Sequence, residues 1–305
     1  MKAIIATESG SLFTDVEEPT LREASDVCVR VCAAAICRTD LYAAQGRLPV
    51  ASGRVLGHEF TGVVESVGEE SRFAPGDRVV ANPSFSCRRC SDCLKGDHHL
   101  CADTRFLGLD LDGAFAERVV VPDTALFPLV DDVSFTVGTF AEPVAAGMAI
   151  FEANLQPSDR ILIAGAGRIA ELTGRLLASA GFNSFETARF ENVGSTDLYD
   201  VIIETGGLSA NSTKALELLV PGGMLVVKSR YPDVVSIPVL KFIRRRIRIV
   251  AVNYGRFENA LEFVRREVAA LEAGLDTVWR LEDHERAFDI AGQSEERKCC
   301  FRVSD

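Results

Sequence analysis

The sequence has no long hydrophobic run and no excess of basic residues, and we expect no secretory leader. Acidic residues number 44 against 33 Lys plus Arg, a net charge of −11, which disfavours a protein that binds nucleic-acid phosphates. No apolar stretch reaches the roughly 18 residues of a membrane span, and Glu8 introduces an acid too early for a signal peptide. We therefore expect a soluble, cytoplasmic protein that binds neither nucleic acid nor membrane.

The remaining composition is that of a globular protein, with 47% hydrophobic and 25% charged residues in 305. This length favours two domains. Up to about residue 140, short β-branched runs between Gly- and Pro-containing turns predict a β-rich domain. Beyond it, predicted strands at 161–164, 201–204, 224–227 and 247–252 alternate with helices, the last of them predicted over 257–273. This pattern is typical of an α/β domain with a parallel sheet.

Nine cysteines are unevenly distributed, and four of them follow the spacing C-x2-C-x2-C-x7-C. Without a secretory leader, clustered thiols are more often metal ligands than disulfides. Four thiolates favour a closed, structural zinc site, although similar spacing also occurs in iron–sulfur proteins. The sequence therefore predicts a metal-ordered lobe over 86–102, with these ligands: Cys87, Cys90, Cys93 and Cys101.

A second set of metal-ligating side chains is spread along the chain: Cys37, His58, Glu59 and Glu142. A thiolate, an imidazole and a carboxylate can hold zinc and leave a coordination position for water or substrate. Each residue alone has a commoner explanation in packing or solvation. Their occurrence together, upstream of a nucleotide-binding motif, indicates a zinc site that substrate could reach.

That motif is Gly165-Ala-Gly167-Arg-Ile-Ala170, which directly follows an apolar strand and opens a helix. Gly165 permits the tight turn, and Gly167 lets the backbone approach a pyrophosphate at the helix N-terminus. Arg168 and Ile169, the first residues of the helix, are candidates for cofactor contact.

The position that reads the cofactor ribose lies about 20 residues further on and usually carries an acid. Here Arg189 lies near that position, which favours NADP; a shift of three residues would place Glu186 there instead and favour NAD. The interval from Gly165 to Asp200 is also hardly longer than one βαβ unit of roughly 30 residues. We therefore expect that one strand–helix pair is missing on the adenine side of the sheet.

The chain resembles the zinc-dependent medium-chain alcohol dehydrogenases, and most closely their polyol and sugar (sorbitol dehydrogenase-like) branch. The resemblance spans almost the whole chain, and the cysteine lobe and the His-Glu pair are its most specific parts. Its motifs are Cys37-Arg-Thr-Asp40, Gly57-His-Glu59-Phe-Thr-Gly62, the four cysteines, Gly113-Ala-Phe-Ala-Glu117, Glu142-Pro143, Gly165-Ala-Gly167 and Arg286-Ala-Phe288.

The resemblance implies a GroES-like catalytic domain over 1–143 and 280–305 and a shortened Rossmann-type, doubly wound domain over 144–279. It implies two zinc ions per chain, a nicotinamide cofactor and a homodimer or homotetramer. The implied reaction is hydride transfer between NAD(P) and the secondary alcohol of a polyol, sugar or cyclitol, or its ketone.

The resemblance also implies the roles of the site residues. Cys37 and His58 are expected to bind the catalytic zinc, with Glu59 as a direct or water-exchanged ligand and Glu142 as a further carboxylate. Asp40 would fix the His58 tautomer as a hydrogen-bond acceptor. Thr39 would carry the substrate hydroxyl proton away.

One residue departs from the family pattern, because Tyr42 lies where a His often completes the proton relay. The proton could leave through water, which we favour, or through Tyr42, or the relay could be broken. Two alternative functions stay open: an NADPH-dependent aldehyde or ketone reductase, and a non-catalytic zinc-binding assembly protein with a degenerate nucleotide site.

Overall fold

Strand β3 (Asp26–Ala35) lies at the centre of the first of two units into which the computed structural model divides. The units are Met1–Glu142 with Phe257–Asp305, and Pro143–Arg256. The structure describes residues 1–96, 98–194, 198–208, 211–230, 232, 234–293 and 297–304.

The secondary structure follows the chain in this order. The strands before the glycine motif are β1 (Lys2–Thr7), β2 (Gly10–Asp15), β3 (Asp26–Ala35), β4 (Glu59–Val67), β5 (Arg78–Ala81), β6 (Ser84–Phe85), β7 (Arg105–Phe106), β8 (Arg118–Pro122) and β9 (Leu126–Pro128). The helices there are α1 (Arg38–Ala44), α2 (Ser91–Lys95), α3 (Phe135–Gly138) and α4 (Ala141–Met148).

The rest of the chain first alternates and then returns to the first unit. Its strands are β10 (Ile161–Ala164), β11 (Phe185–Ala188), β12 (Tyr199–Glu204), β13 (Leu219–Val227), β14 (Arg248–Ala251), β15 (Leu275–Trp279) and β16 (Lys298–Arg302). Its helices are α5 (Arg168–Ser179), α6 (Ser212–Leu218), α7 (Val239–Arg245), α8 (Phe257–Arg266), α9 (Val268–Ala273) and α10 (His284–Gln293).

In the first unit, seven of the described strands form a largely antiparallel sheet in the order β15-β16-β3-β4-β5-β9, with β8 also paired to β3. Strands β1 and β2, and β6 and β7, form separate two-stranded sheets. The alternating apolar residues of these strands enclose one core, in which Phe60, Phe115 and Phe301 are almost completely buried. Strand β3 ends at Ala35, opposite Glu59 at the start of β4. This register brings the residues just after β3 beside those that open β4, and it positions the candidate site.

The second unit contains a five-stranded parallel sheet in the order β11-β10-β12-β13-β14. All four residues of β10 are buried, as expected for a strand covered on both faces. The expectation of an α/β architecture with a β-rich domain is confirmed. Within the described residues β11 is the edge strand on its side of the sheet, and no further strand pairs with it. The sheet therefore lacks, on that side, the strand–helix pair whose absence the sequence predicted.

Two features differ from the sequence-based expectation. The segment 257–279, which we assigned to the nucleotide-binding domain, clusters with the first unit, where β15 pairs with β16. The helix expected over 257–273 is two helices, α8 and α9, interrupted at Glu267. The β1–β2 hairpin was not predicted.

None of the helices in the described part of the chain is both long and apolar enough to cross a bilayer.

Candidate active site and metal centres

The N-terminus of α1 organises the first half of the site. Cys37 is the N-cap of this helix, and its backbone N–H donates to the Asp40 carboxylate at 2.8 Å in a capping-box arrangement. The other oxygen of the same carboxylate lies 3.0 Å from Nδ1 of His58. One buried acid therefore orients both Cys37 and His58, which the sequence separates by about twenty residues.

The ligand atoms of Cys37, His58 and Glu59 all lie within 4.8 Å of one another. His58 is fully buried, and its Nε2 has no hydrogen-bond partner among the described protein atoms. A buried nitrogen without a partner is costly, whereas a metal ion between these three donors would satisfy it. The donor set and this orphaned nitrogen fit a zinc ion.

The charges around His58 favour its protonated form when no metal competes. Burial lowers the pKa of His58, but the charge and hydrogen bond of Asp40, with the neighbouring Cys37, outweigh it and raise that pKa well above its ordinary value. The same Asp40 contact fixes the ring so that Nε2 faces the other donors.

Lys298 is a site residue that our sequence analysis missed. It is 1% exposed on β16, and its ammonium donates to the Glu59 carboxylate and lies 5.4 Å from the centre of the Phe140 ring. Burial raises the pKa of Glu59, Lys298 opposes this effect, and the charge of Glu142 adds to it. The ammonium is therefore the counter-charge for the buried Glu59 carboxylate.

Glu142 is 3% exposed in the first turn of α4, close enough to Glu59 to influence its pKa. Its carboxylate is not part of the group of three whose ligand atoms lie within 4.8 Å. The structure therefore brings Cys37, His58 and Glu59 together and places Glu142 beside them.

Thr39 and Tyr42 both lie on α1. Thr39 is 7% exposed, and its hydroxyl is 3.8 Å from Sγ of Cys37. Tyr42 is half-buried, and the Arg47 guanidinium lies 4.5 Å from the centre of its ring. This stacking contact gives the phenol ring a packing role.

The four cysteines of the lobe converge as predicted, with their sulfur atoms within 4.8 Å of one another. Backbone N–H groups of Arg89 and Cys90 lower the pKa of Cys87 to about 6, which favours the thiolate that metals bind. The lobe has little core of its own, since Leu94 and Leu100 are 76% and 59% exposed. Four converging thiols in such a segment fit a structural metal site.

The scattered cysteines do not join either group. Cys28, Cys32, Cys299 and Cys300 are buried in the first unit. Burial raises the pKa of Cys300 to about 12. These thiols act as small apolar core residues.

In the second unit, Gly165 and Gly167 form the turn between β10 and α5. A Cβ on Gly165 would lie 2.2 Å from Oγ1 of Thr205, so only glycine fits there. Gly167 is the N-cap of the twelve-residue α5 and supplies no side-chain cap, while Arg168 and Ile169 are half-buried in the first turn. A helix N-terminus that follows a tight glycine turn at the carboxyl edge of a parallel sheet fits a pyrophosphate.

The two candidate ribose readers differ in their position on β11. Ala188 pairs with Ala164 in the last row of the sheet, and Arg189 follows it at the carboxyl edge. Glu186 lies further back along the strand and accepts a hydrogen bond from the Tyr199 hydroxyl.

Comparison with known proteins agrees with these motifs. Residues 23–131 match the model of the alcohol dehydrogenase GroES-like domain. L-threonine 3-dehydrogenase of Paraburkholderia phytofirmans is 29% identical over 340 positions, which cover 96% of this chain and 97% of that protein. L-idonate 5-dehydrogenase of Vitis vinifera is 37% identical over 166 residues, 52% of this chain and 45% of the relative.

The chain is therefore similar to the zinc-dependent medium-chain alcohol dehydrogenases, with the GroES-like domain of such enzymes over residues 23–131. It is an oxidoreductase, similar to dehydrogenases over 96% of its length. The alignment of 340 positions with a chain of 305 residues also means that this chain lacks segments that L-threonine 3-dehydrogenase has.

Solved structures show the same fold. A protein of Sinorhizobium meliloti 1021 described as a zinc-binding dehydrogenase, bound to NADP, has a TM-score of 0.86 at 24% identity and covers 99% of this chain and 98% of its own. Galactitol-1-phosphate dehydrogenase of Escherichia coli has a TM-score of 0.86 at 23% identity, and the match covers 99% of this chain and 100% of that protein. The family fold, a GroES-like domain with a Rossmann domain, is therefore confirmed.

Proposed function

We propose that this enzyme transfers hydride between NADP and the secondary alcohol or ketone of a polyol, sugar or cyclitol, at a zinc site formed by Cys37, His58 and Glu59. The observation that carries the proposal is the buried Nε2 of His58, which has no hydrogen-bond partner among the described residues and lies near two other zinc-type donors. When bound, zinc would supply a Lewis acid for the substrate oxygen, and the nicotinamide would supply the hydride acceptor.

The protein residues would hold this chemistry and move its proton. Asp40 keeps the Nδ1 proton on His58 and leaves Nε2 as a ligand. We assign to Oγ1 of Thr39 the removal of the substrate hydroxyl proton, because it lies 3.8 Å from a ligand sulfur and is shielded from bulk water. From there the proton would leave through water. Glu142 beside Glu59 would serve as a further carboxylate ligand or exchange with one.

A second zinc in the four-cysteine lobe would be structural. Four thiolates close a tetrahedral shell and leave no position for substrate. The little hydrophobic burial in the lobe supports a role for the metal in ordering it.

The preference for NADP rests on Arg189. It directly follows the last paired residue of β11, whereas the carboxylate of Glu186 is further from the carboxyl edge and bonded to Tyr199. A guanidinium suits the 2′-phosphate of NADP. The relative from Sinorhizobium meliloti was solved with NADP, which agrees with this preference.

The substrate class is supported by the names of the relatives. L-threonine, L-idonate and galactitol 1-phosphate all carry a secondary alcohol, and all are acted on by proteins similar to this one. The reverse flux, reduction of an aldehyde or ketone with NADPH, would use the same residues.

A homodimer or homotetramer through the nucleotide sheet is supported by one exposed apolar face. Val239, Leu240 and Ile243 are 62%, 64% and 65% exposed on α7. Strand β14, at the neighbouring edge of the sheet, is also open to pairing in the described residues, with Ile249 37% exposed. Isolated exposed apolar residues are ordinary, but a row of them beside a free strand edge indicates an interface.

The proposal is tested by titrating NADPH and NADH into the purified protein and following nicotinamide fluorescence. We expect saturable binding, tighter for NADPH, and an Arg189→Ala variant that loses the preference without losing NADH binding. Zinc-loaded protein should then oxidise a secondary polyol alcohol with NADP. Absence of binding of either dinucleotide up to millimolar concentration would overturn the dehydrogenase function.

A further inference from the structure

A buried carboxylate joins two loops at the carboxyl edge of the parallel sheet. Glu204 is the last residue of β12 and is 1% exposed. It pairs with Ala164 on one side and with Val227 on the other, so it lies in the last row of the sheet. A buried carboxylate at a sheet edge is costly unless several donors satisfy it.

Those donors come from two different loops. The backbone N–H of Gly207, in the loop after β12, donates to the Glu204 carboxylate. Ser229, in the loop after β13, donates both its hydroxyl and its backbone N–H, the latter at 3.2 Å. The carboxylate therefore fixes the loop after β12 to the loop after β13.

The same region contacts the glycine turn. Thr205 follows Glu204, and both its backbone N–H and its hydroxyl donate to the carbonyl of Ala164 at 3.1 Å. Its Oγ1 occupies the space where a Cβ on Gly165 would lie. The loop that Glu204 holds is thus packed on the first glycine of the pyrophosphate-binding turn.

The position of these loops indicates what they contact. Strand order reverses between β10 and β12, and ligands of such sheets bind outside the carboxyl ends of the strands at this point. The fold consists of two mononucleotide-binding halves, and β12 opens the second half. The half that begins at β10 carries the glycine turn and Arg189. We therefore expect the nicotinamide nucleoside to bind at the loops after β12 and β13, which belong to the other half.

We infer that Glu204 is a positioning residue that holds the loops after β12 and β13 in place for the nicotinamide nucleoside, acting through Gly207 and Ser229. This inference rests on the proposed nucleotide site. It does not give Glu204 a contact with the reacting atoms. It assigns the buried carboxylate a function in cofactor binding, which the packing of the sheet alone would not require.

The test compares a complete cofactor with a fragment that lacks the nicotinamide half. Dissociation constants are measured for the dinucleotide that wild type binds more tightly and for the fragment that corresponds to it. The fragment is 2′,5′-ADP if that dinucleotide is NADPH and ADP if it is NADH. The variants are Glu204→Gln, which replaces an acceptor by a donor, and Ser229→Ala, which removes one donor from a surface loop. Glu217→Gln is the matched control, since it changes an exposed carboxylate on α6 that is bonded to Lys241 of α7.

We expect Glu204→Gln to raise the dissociation constant of the dinucleotide at least tenfold and that of the fragment less than twofold. Ser229→Ala should have a smaller effect in the same direction, and the control should have none. The inference would be overturned if Glu204→Gln raised the dissociation constants of the dinucleotide and of the fragment by the same factor. It would also be overturned if neither Glu204→Gln nor Ser229→Ala changed the dissociation constant of the dinucleotide. Failure of wild type to bind either ligand would instead overturn the proposed function on which it rests.

Discussion

The Asp40 carboxylate lies 3.0 Å from Nδ1 of His58, and neither side chain is more than 1% exposed. Because this contact sets the tautomer of a metal ligand, we expect Asp40→Asn to lower the zinc affinity of the Cys37–His58–Glu59 site by about 10–100-fold. Zinc competition with a chromophoric chelator measures it. Asp131→Asn, which changes a 99% exposed side chain, is the control. An unchanged affinity in Asp40→Asn would mean that the hydrogen bond does not orient the ring for a metal.

The cysteine lobe permits a separate prediction about metal content. Cys101→Ser should remove one zinc per chain, from two to one, and make the lobe 86–102 sensitive to protease, since the lobe has little core to hold it without metal. Elemental analysis and limited proteolysis check both effects. Cys32→Ser, a buried cysteine outside both metal groups, should retain two zinc ions. Full metal content in Cys101→Ser would exclude the four-thiolate site.

Lys298 and the two carboxylates near it provide a prediction about stability. Lys298→Met would leave Glu59 buried without its cation and beside the charge of Glu142, so the free energy of unfolding of zinc-free protein should fall by about 3–5 kcal/mol. Urea denaturation measures this change. Adding Glu59→Gln to the same chain should restore part of the loss because it removes one of the two charges.

The control for Lys298 is Lys241→Met, which removes a surface ammonium bonded to Glu217. Exposed ion pairs contribute little, about 0–1 kcal/mol. If Lys298→Met were no more destabilising than this control, the buried ammonium would not be needed to neutralise the site.

The parts of the fold that the sequence predicted are those with a local pattern. The apolar residues Ile161–Ala164 and the glycines after them identify β10 and its turn without any knowledge of the rest of the chain. The four cysteines are likewise close in sequence. The missing strand–helix pair was visible because the length of a βαβ unit is nearly constant.

The features that were missed depend on contacts between distant residues. Lys298 resembles a surface lysine in the sequence, and only the pairing of β16 with β3, and of Ala35 with Glu59, brings it to a buried carboxylate. The placement of 257–279 with the first unit likewise follows from β15 pairing with β16, more than fifteen residues later. Such pairings have no local signal.

Tyr42 is the residue for which the family pattern and this chain disagree, and its ring is stacked by Arg47. If the proton leaves Thr39 through water, Tyr42→Phe should leave kcat/KM for oxidation of a secondary alcohol within about twofold, because the ring and its stacking contact are retained. Thr39→Val, which removes only the hydroxyl from a side chain of similar shape, should lower kcat/KM by about 100-fold or more. Steady-state kinetics on zinc-loaded protein compares the two. A loss in Tyr42→Phe as large as that in Thr39→Val would place the phenol on the proton path and assign it the role that a histidine has in related enzymes.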